Sequence, residues 1–247
     1  MYDTSGICIT GVFQEFEEMK QGELNKGLYR NRFEGMDEFR GKFYQIFYEI
    51  FLCKYIPSKS RVLEIGAGHC ELINAIAHAE QKVAFDINPD IYDYAADGVT
   101  AVCDSIEQIS TIQKKFDVII ANNVLEHLTH SQIVETLLAV KKLLENEGIL
   151  MLIQPNFRYC YRDFWMAFDH ITPLDDRGVV ELLESLEYEV MEVKPKFLPY
   201  TMKENNFNRL LGNLICLKML IVKMYLRIPF LWNIGGKQML IVAKNSE

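Results

Sequence analysis

A carboxylate and two glycines, Glu64-x-Gly66-x-Gly68, stand inside the run Arg61-Val-Leu-Glu-Ile-Gly-Ala-Gly-His-Cys-Glu71. Glycine turns tightly and lets backbone N–H groups approach a ligand that a side chain would hold off. Glu64 falls at the carboxyl end of an apolar stretch, the edge on which open α/β sheets bind ligands. A second acid, Asp86, follows 22 positions later. That is close to the spacing of about 20 at which a strand-end carboxylate accepts hydrogen bonds from ribose hydroxyls. Asp86 could instead cap the turn Asn88-Pro89-Asp90. Further along, Asp169-His170 and His127 offer imidazoles, which are suited to taking a proton near neutral pH. Asp169-His170 could instead only fix the turn before Pro173. The glycine group reads as a nucleotide-cofactor loop, and the histidines as candidate bases.

A dinucleotide fingerprint, G-x-G-x-x-G, would need a small residue where Glu71 stands, and a carboxylate there would repel a pyrophosphate. The pattern E-x-G-x-G instead resembles motif I of the class I S-adenosylmethionine (SAM)-dependent methyltransferases. An acid suits the ammonium end of SAM. The family often has a third glycine where this chain has Cys70. Two further stretches extend the resemblance. Phe116-Asp117-Val118-Ile119 leading to Leu125-Glu126-His127-Leu128 is similar to a pattern of small-molecule methyltransferases. Pro155-Asn156-Phe157-Arg158-Tyr159, with Trp165, Asp169-His170 and Thr172-Pro173-Leu174, resembles a bacterial branch associated with surface-polysaccharide biosynthesis. Trp165 lies in Phe-Trp-Met-Ala-Phe, where that branch more often has Tyr-Trp-Asp-Phe.

The resemblance implies SAM as cofactor and S-adenosylhomocysteine as product. It assigns Glu64, Gly66, Ala67, Gly68, Asp86, Ile87, Asp104, Ser105, Asn122 and Asn123 to the cofactor, with Asp104 at the adenine. It places His127 at the methyl-transfer face and Asp169 and His170 on the acceptor side, with Arg158, Tyr159 and Trp165 as acceptor contacts. The implied acceptor is a small molecule, a hydroxyl of a saccharide or a lipid-linked saccharide. Two other readings stay open: a non-catalytic SAM-binding or membrane-docking protein, and an NAD-dependent oxidoreductase.

The elements that must position these residues follow from apolar period and turn residues. Strands are predicted at 61–65, 82–86, 99–103, 116–121, 149–154, 189–194 and 238–243. Helices are predicted over 36–55, where Phe39, Phe43, Phe47 and Phe51 make an aromatic stripe expected to pack in the core, and over 70–79, 130–145 and 176–186. Thr129 and Gln132 form a candidate capping box. The fold class is therefore α/β, a doubly wound, mostly parallel seven-stranded sheet. The resemblance adds an antiparallel last strand between the fifth and sixth. Residues 1–57 are expected to form an N-terminal arm and helix, and 58–247 the SAM-binding domain. Within it 195–237 is an inserted helical cap, too long for a hairpin loop.

Composition sets further bounds. The 247 residues are 49% hydrophobic and 24% charged, an ordinary globular make-up. The six cysteines show no C-x-x-C spacing, which predicts reduced thiols in a cytoplasm. No signal peptide is expected. The net charge of −8 hides a basic end: from Lys194 to Glu247 there are nine Lys/Arg and two Asp/Glu. The apolar run within 205–228, broken by Arg209, Lys218 and Lys223, is too polar to span a bilayer. It could lie on the inner membrane face, seal a dimer or pack over the site. The acidic body argues against nucleic acid. Glu126, His127 and His130 give E-H-x-x-H, similar to the E-x-x-E-H stretch of a metal-dependent RNA 2′-O-methyltransferase family. Asn123 replaces the first Glu, so no metal is expected.

Overall fold

The computed structural model describes residues 24, 26–199 and 214–246. Residues 1–23 of the expected arm and 200–213 of the expected cap, with Arg209, lie outside them. Five strands lie parallel to one another: β1 Arg61–Ile65, β2 Gln81–Asp86, β3 Val99–Cys103, β4 Phe116–Asn122 and β5 Leu144–Pro155. With β6 Tyr188–Lys194 and β7 Gln238–Asn245 they form one sheet, ordered β3-β2-β1-β4-β5-β7-β6. β7 runs antiparallel between β5 and β6, as the resemblance implied. The chain winds outward from β1 to β3 and then returns to the other side of β1 as β4. This reversal leaves a crevice at the carboxyl ends of β1 and β4, where ligands bind in open sheets.

Both faces of the sheet are covered, which is why its central strands are almost continuously apolar. On one face Val62, Val118 and Met151 pack under α2 (Asp37–Ile50), α3 (Glu71–Ala75) and α8 (Ile215–Arg227). A preceding helix, α1, spans 26–33, and a short one, α4, spans Ile91–Tyr94. On the other face Leu63, Ile119 and Leu150 pack under α5 (His130–Leu143) and α7 (Asp176–Ser185). Two further short helices, α6 (Phe157–Cys160) and α9 (Pro229–Gly235), complete the described set.

Three expectations need correction. The helix after the glycine loop stops at Ala75 instead of Ala79. Residues beyond it give their backbone bonds elsewhere: His78 O accepts the Lys59 N–H at 2.7 Å, and Glu80 N–H donates to Ser60 O at 2.9 Å. These bonds start β2 beside β1, and a helix continued to Ala79 would turn the Glu80 N–H back to the Ile76 carbonyl. Residues 26–33, which no predicted helix covers, are helical. The aromatic stripe of α2 divides: Phe47 and Phe51 pack on Phe197 in the core, while Phe39 and Phe43 also line the main cavity. The capping box of α5 is present, with Thr129 and Gln132 each bonding the other's backbone N–H. Among the described residues no helix is long and apolar enough to cross a membrane.

Candidate active site

A cavity of about 1060 Å³ opens at the carboxyl ends of β1, β2 and β4. Its first wall is the glycine loop. Gly66 (φ +71°) and Gly68 (φ +52°) occupy the left-handed region, which costs an L-residue roughly 1–2 kcal/mol. A Cβ on Gly66 would lie 2.2 Å from Val124 Cγ2, and one on Gly68 within 3 Å of the Tyr29 ring. Cys70 takes the same left-handed conformation (φ +59°) without being glycine.

The acids of this wall are tied to backbone. Glu64 Oε2 accepts the Ile73 N–H at 2.9 Å, inside the first turn of α3. Burial pushes its carboxyl well above the usual range, against that bond. Asp86 accepts the Gly68 N–H with one oxygen and the Asn88 N–H with the other, both at 2.7 Å. The cap alternative for Asp86 is thus present, but one of its bonds reaches across to the glycine loop and fixes its shape. Asp104 accepts the Ser105 N–H at 2.8 Å.

Sequence reasoning missed the residues that close this wall. From α1 and α2, Tyr29, Arg32, Arg40 and Tyr44 reach the cavity. Arg40 pairs with Glu71, donates to Tyr29 Oη at 2.7 Å and lies 3.9 Å over the Phe33 ring. Glu71, read above as an obstacle to phosphate, is therefore charge-balanced. The only available signal was an arginine set among the aromatics of α2.

The second wall is built from distant segments. Asn122, at the end of β4, donates to Tyr44 Oη at 2.9 Å. Asn123 follows with φ +56° and donates to Asn122 Oδ1 at 3.1 Å. The chain then turns through Leu125–His127. The Glu126 carbonyl accepts the N–H groups of Ile171 and Thr172 at 2.8 and 3.1 Å, and Thr172 Oγ1 donates to Leu128 O at 2.5 Å. These bonds bring His170 beside His127, with ring centroids 4.9 Å apart.

His127 Nδ1 lies 3.0 Å from the Asp169 carbonyl and 3.5 Å from Asp169 Oδ2, and Asp169 also pairs with Arg32. Burial pushes the Asp169 carboxyl up, but His127 and Arg32 together hold it below its ordinary value. Burial and the nearby His127 lower His170 to about 4, so it is neutral at physiological pH. Glu126 is 1% exposed, and burial raises it to about 7.

Of the residues expected at the site, Glu64, Gly66, Ala67, Asp86, Ile87, Asp104, Ser105, Asn122, Asn123, His127, Asp169 and His170 line this cavity. Gly68 joins them through its bond to Asp86. Arg158, Tyr159 and Trp165 do not line it. The chain turns away at Asn156, which caps α6. Arg158 is spent on the buried Asp176 at 2.9 and 3.1 Å, and Trp165 is 58% exposed. His130 is exposed in the first turn of α5.

A nucleoside-bearing ligand fits the first wall. Two left-handed glycines turn the loop at the end of β1, and the strand-end acid Asp86 faces the cavity beside Ile87, Asp104 and Ser105.

The profile of the Methyltransferase domain family matches residues 36–193. No curated protein matches the chain. Among solved structures, the chain is similar to a SAM-dependent methyltransferase from Archaeoglobus fulgidus (20% identity, TM-score 0.60, 85% of this chain and 97% of that one). It is also similar to the N-methyltransferase NodS from Bradyrhizobium japonicum in complex with S-adenosyl-L-homocysteine (16%, TM-score 0.55, 84% and 87%). A TehB-like SAM-dependent methyltransferase from Corynebacterium glutamicum aligns over 84% and 88% (13%, TM-score 0.52).

Proposed function

The chain belongs to the Methyltransferase domain family, and from that premise we propose that it methylates a hydroxyl of a saccharide or lipid-linked saccharide, with SAM as donor and S-adenosylhomocysteine as product. The observation that carries the reading is the glycine loop pinned by Asp86: Gly66 and Gly68 make left-handed turns at the carboxyl end of β1, and Asp86 holds that shape from the neighbouring strand by accepting the Gly68 N–H. When bound, SAM supplies an electrophilic methyl group on its sulfonium.

The residues of this chain divide the remaining work. Asp86 and Ile87 receive the ribose, and each Asp86 oxygen keeps a lone pair beyond its backbone bond. Asp104 and Ser105 receive the adenine. Glu64, Ala67 and the glycines shape the methionine end, which the Arg40–Glu71 pair borders. Asn122 and Asn123 border the point where donor and acceptor meet. On the acceptor side, a proton on His127 Nδ1 donating to the Asp169 carbonyl leaves the other nitrogen to accept one. This favours His127 over His170 as base, because a neutral imidazole at about 4 accepts protons poorly. Holding the two reactants in line supplies up to about 7–11 kcal/mol of the barrier.

The lipid-linked form of the acceptor, and a cytoplasmic place at the inner membrane face, rest on α8 and α9. Leu217, Leu220, Met224, Phe230 and Ile234 are exposed beside Lys223 and Arg227, the make-up of a helix lying on an anionic surface.

The test has two arms. Calorimetric titration should give micromolar binding of SAM and S-adenosylhomocysteine and none of NAD, with Asp86→Asn weakening SAM about tenfold, the loss of one or two ribose hydrogen bonds. Binding of NAD alone would overturn the reading. In the second arm the protein should sediment with anionic vesicles, and a chain left in the supernatant removes the lipid-linked acceptor.

A further inference from the structure

Three potential ligands converge on the second wall of the cavity. Glu126, His127 and His170 each offer a ligand atom, and these atoms lie within 4.8 Å of one another. Glu126 and His127 come from the turn after β4, and His170 from a loop more than forty residues later, held there by the Glu126 carbonyl and Thr172. Neither segment contains the grouping alone.

The Glu126 carboxylate is the unusual member. It is 1% exposed, both of its oxygens are buried, and neither has a hydrogen-bond partner. A buried carboxylate with no donor is costly unless a proton or a cation accompanies it. The nearby arginine, Arg32, is paired with Asp169. His127 is arranged as metal-binding histidines usually are: one ring nitrogen meets a backbone carbonyl, which fixes the tautomer and leaves the other nitrogen's lone pair free.

We propose that Glu126, His127 and His170 bind a divalent first-row transition-metal ion, with an acceptor hydroxyl oxygen as a further ligand. Two imidazoles and one carboxylate suit such ions better than magnesium or calcium, which prefer oxygen ligands. Three protein ligands leave coordination positions open to a substrate oxygen. With bonds of about 2.0–2.2 Å, the side chains need to close by only about an ångström. The expectation of no metal rested on Asn123 and His130, whereas the third ligand arrives from another loop. This inference rests on the reading that the second wall receives the acceptor; with the ion bound, the His127 lone pair is a ligand and no longer the base, and the ion would itself make the bound hydroxyl more acidic.

The test uses the full chain, stripped with a chelator and dialysed, then titrated with Co(II) while its visible absorption is followed, with Zn(II) in competition. One equivalent should bind with micromolar affinity and give the bands of a nitrogen- and oxygen-ligated ion. Glu126→Gln and His170→Ala should each weaken binding about tenfold or more, while His130→Ala should leave it unchanged. No Co(II) spectrum from the wild-type protein overturns the proposal, and so does binding that survives both ligand variants. SAM titration of the same samples separates the two readings. SAM binding without metal removes only the metal site, and metal binding without SAM removes only the methyl-donor assignment.

Discussion

The two walls of the cavity satisfy their polar groups in opposite ways. On the first wall, proposed as the donor wall, Glu64, Asp86 and Asp104 each accept backbone N–H groups: Ile73 for Glu64, Gly68 and Asn88 for Asp86, Ser105 for Asp104. On the second wall, proposed as the acceptor wall, the Glu126 carboxylate accepts no hydrogen bond from another residue, and His127 and Asp169 depend on partners from remote segments. A wall whose groups are already bonded keeps its shape without a ligand, which suits a cofactor common to many enzymes. A wall with unmet groups gains most when something binds, which suits the specific half of a reaction. Helix α1 joins the two, since Lys26 pairs with Asp90 on the donor side and Arg32 with Asp169 on the acceptor side.

Breaking the donor wall should have the largest effect. Gly66→Ala forces a left-handed alanine and drives its Cβ into Val124, so a loss of about 2–5 kcal/mol is expected, with SAM binding abolished. Thermal melts and calorimetry read both. Adding Val124→Ala should recover the packing part of the loss and leave the backbone part. A Gly66→Ala protein of wild-type stability would show that the loop is not rigid.

A smaller change sharpens the acceptor side. Thr172→Val removes the hydroxyl that ties the His170 loop to the Leu128 carbonyl. It should cost about 1–2 kcal/mol in urea unfolding and leave SAM affinity intact. A fall in SAM affinity would mean that the walls are not independent.

The smallest effect concerns the cap of α7, where the acceptor loop ends. Asp175 accepts the N–H groups of Arg177 and Gly178, and hydrogen bonds from the Arg177 side chain and these amides lower it to about 2 despite some burial. A lowered acid stabilises the fold fully above its unfolded value near 4, and this contribution is lost as pH falls through about 2. Asp175→Ala should therefore cost about 1 kcal/mol at pH 7 and almost nothing near pH 2. An equal cost at both would assign the effect to packing.

Much of the donor wall was legible because its chemistry is local. Strand, glycine turn and strand-end acid lie within one βαβ stretch, and the fully covered strands are apolar enough to be bounded within a few residues; only β5 runs further, starting at Leu144. The acceptor wall was less legible. Arg158 and Trp165 looked equally suited to a ligand, but a helix cap at Asn156 turned both away from the cavity. Tyr29 and Arg32 carried no pattern, yet α1 places them against the site. Nothing near Glu126 in the chain announces that it is buried beside His170.

The sequence by itself determined the strands of the sheet and the glycine loop between β1 and α3, because period, glycine and charge act over a few residues. Tertiary structure alone decided which histidines meet, which acid each arginine pairs with and which carboxylate is left without a donor. Those outcomes depend on backbone bonds between segments more than forty residues apart, such as Ile171 N–H to the Glu126 carbonyl. No local pattern encodes them.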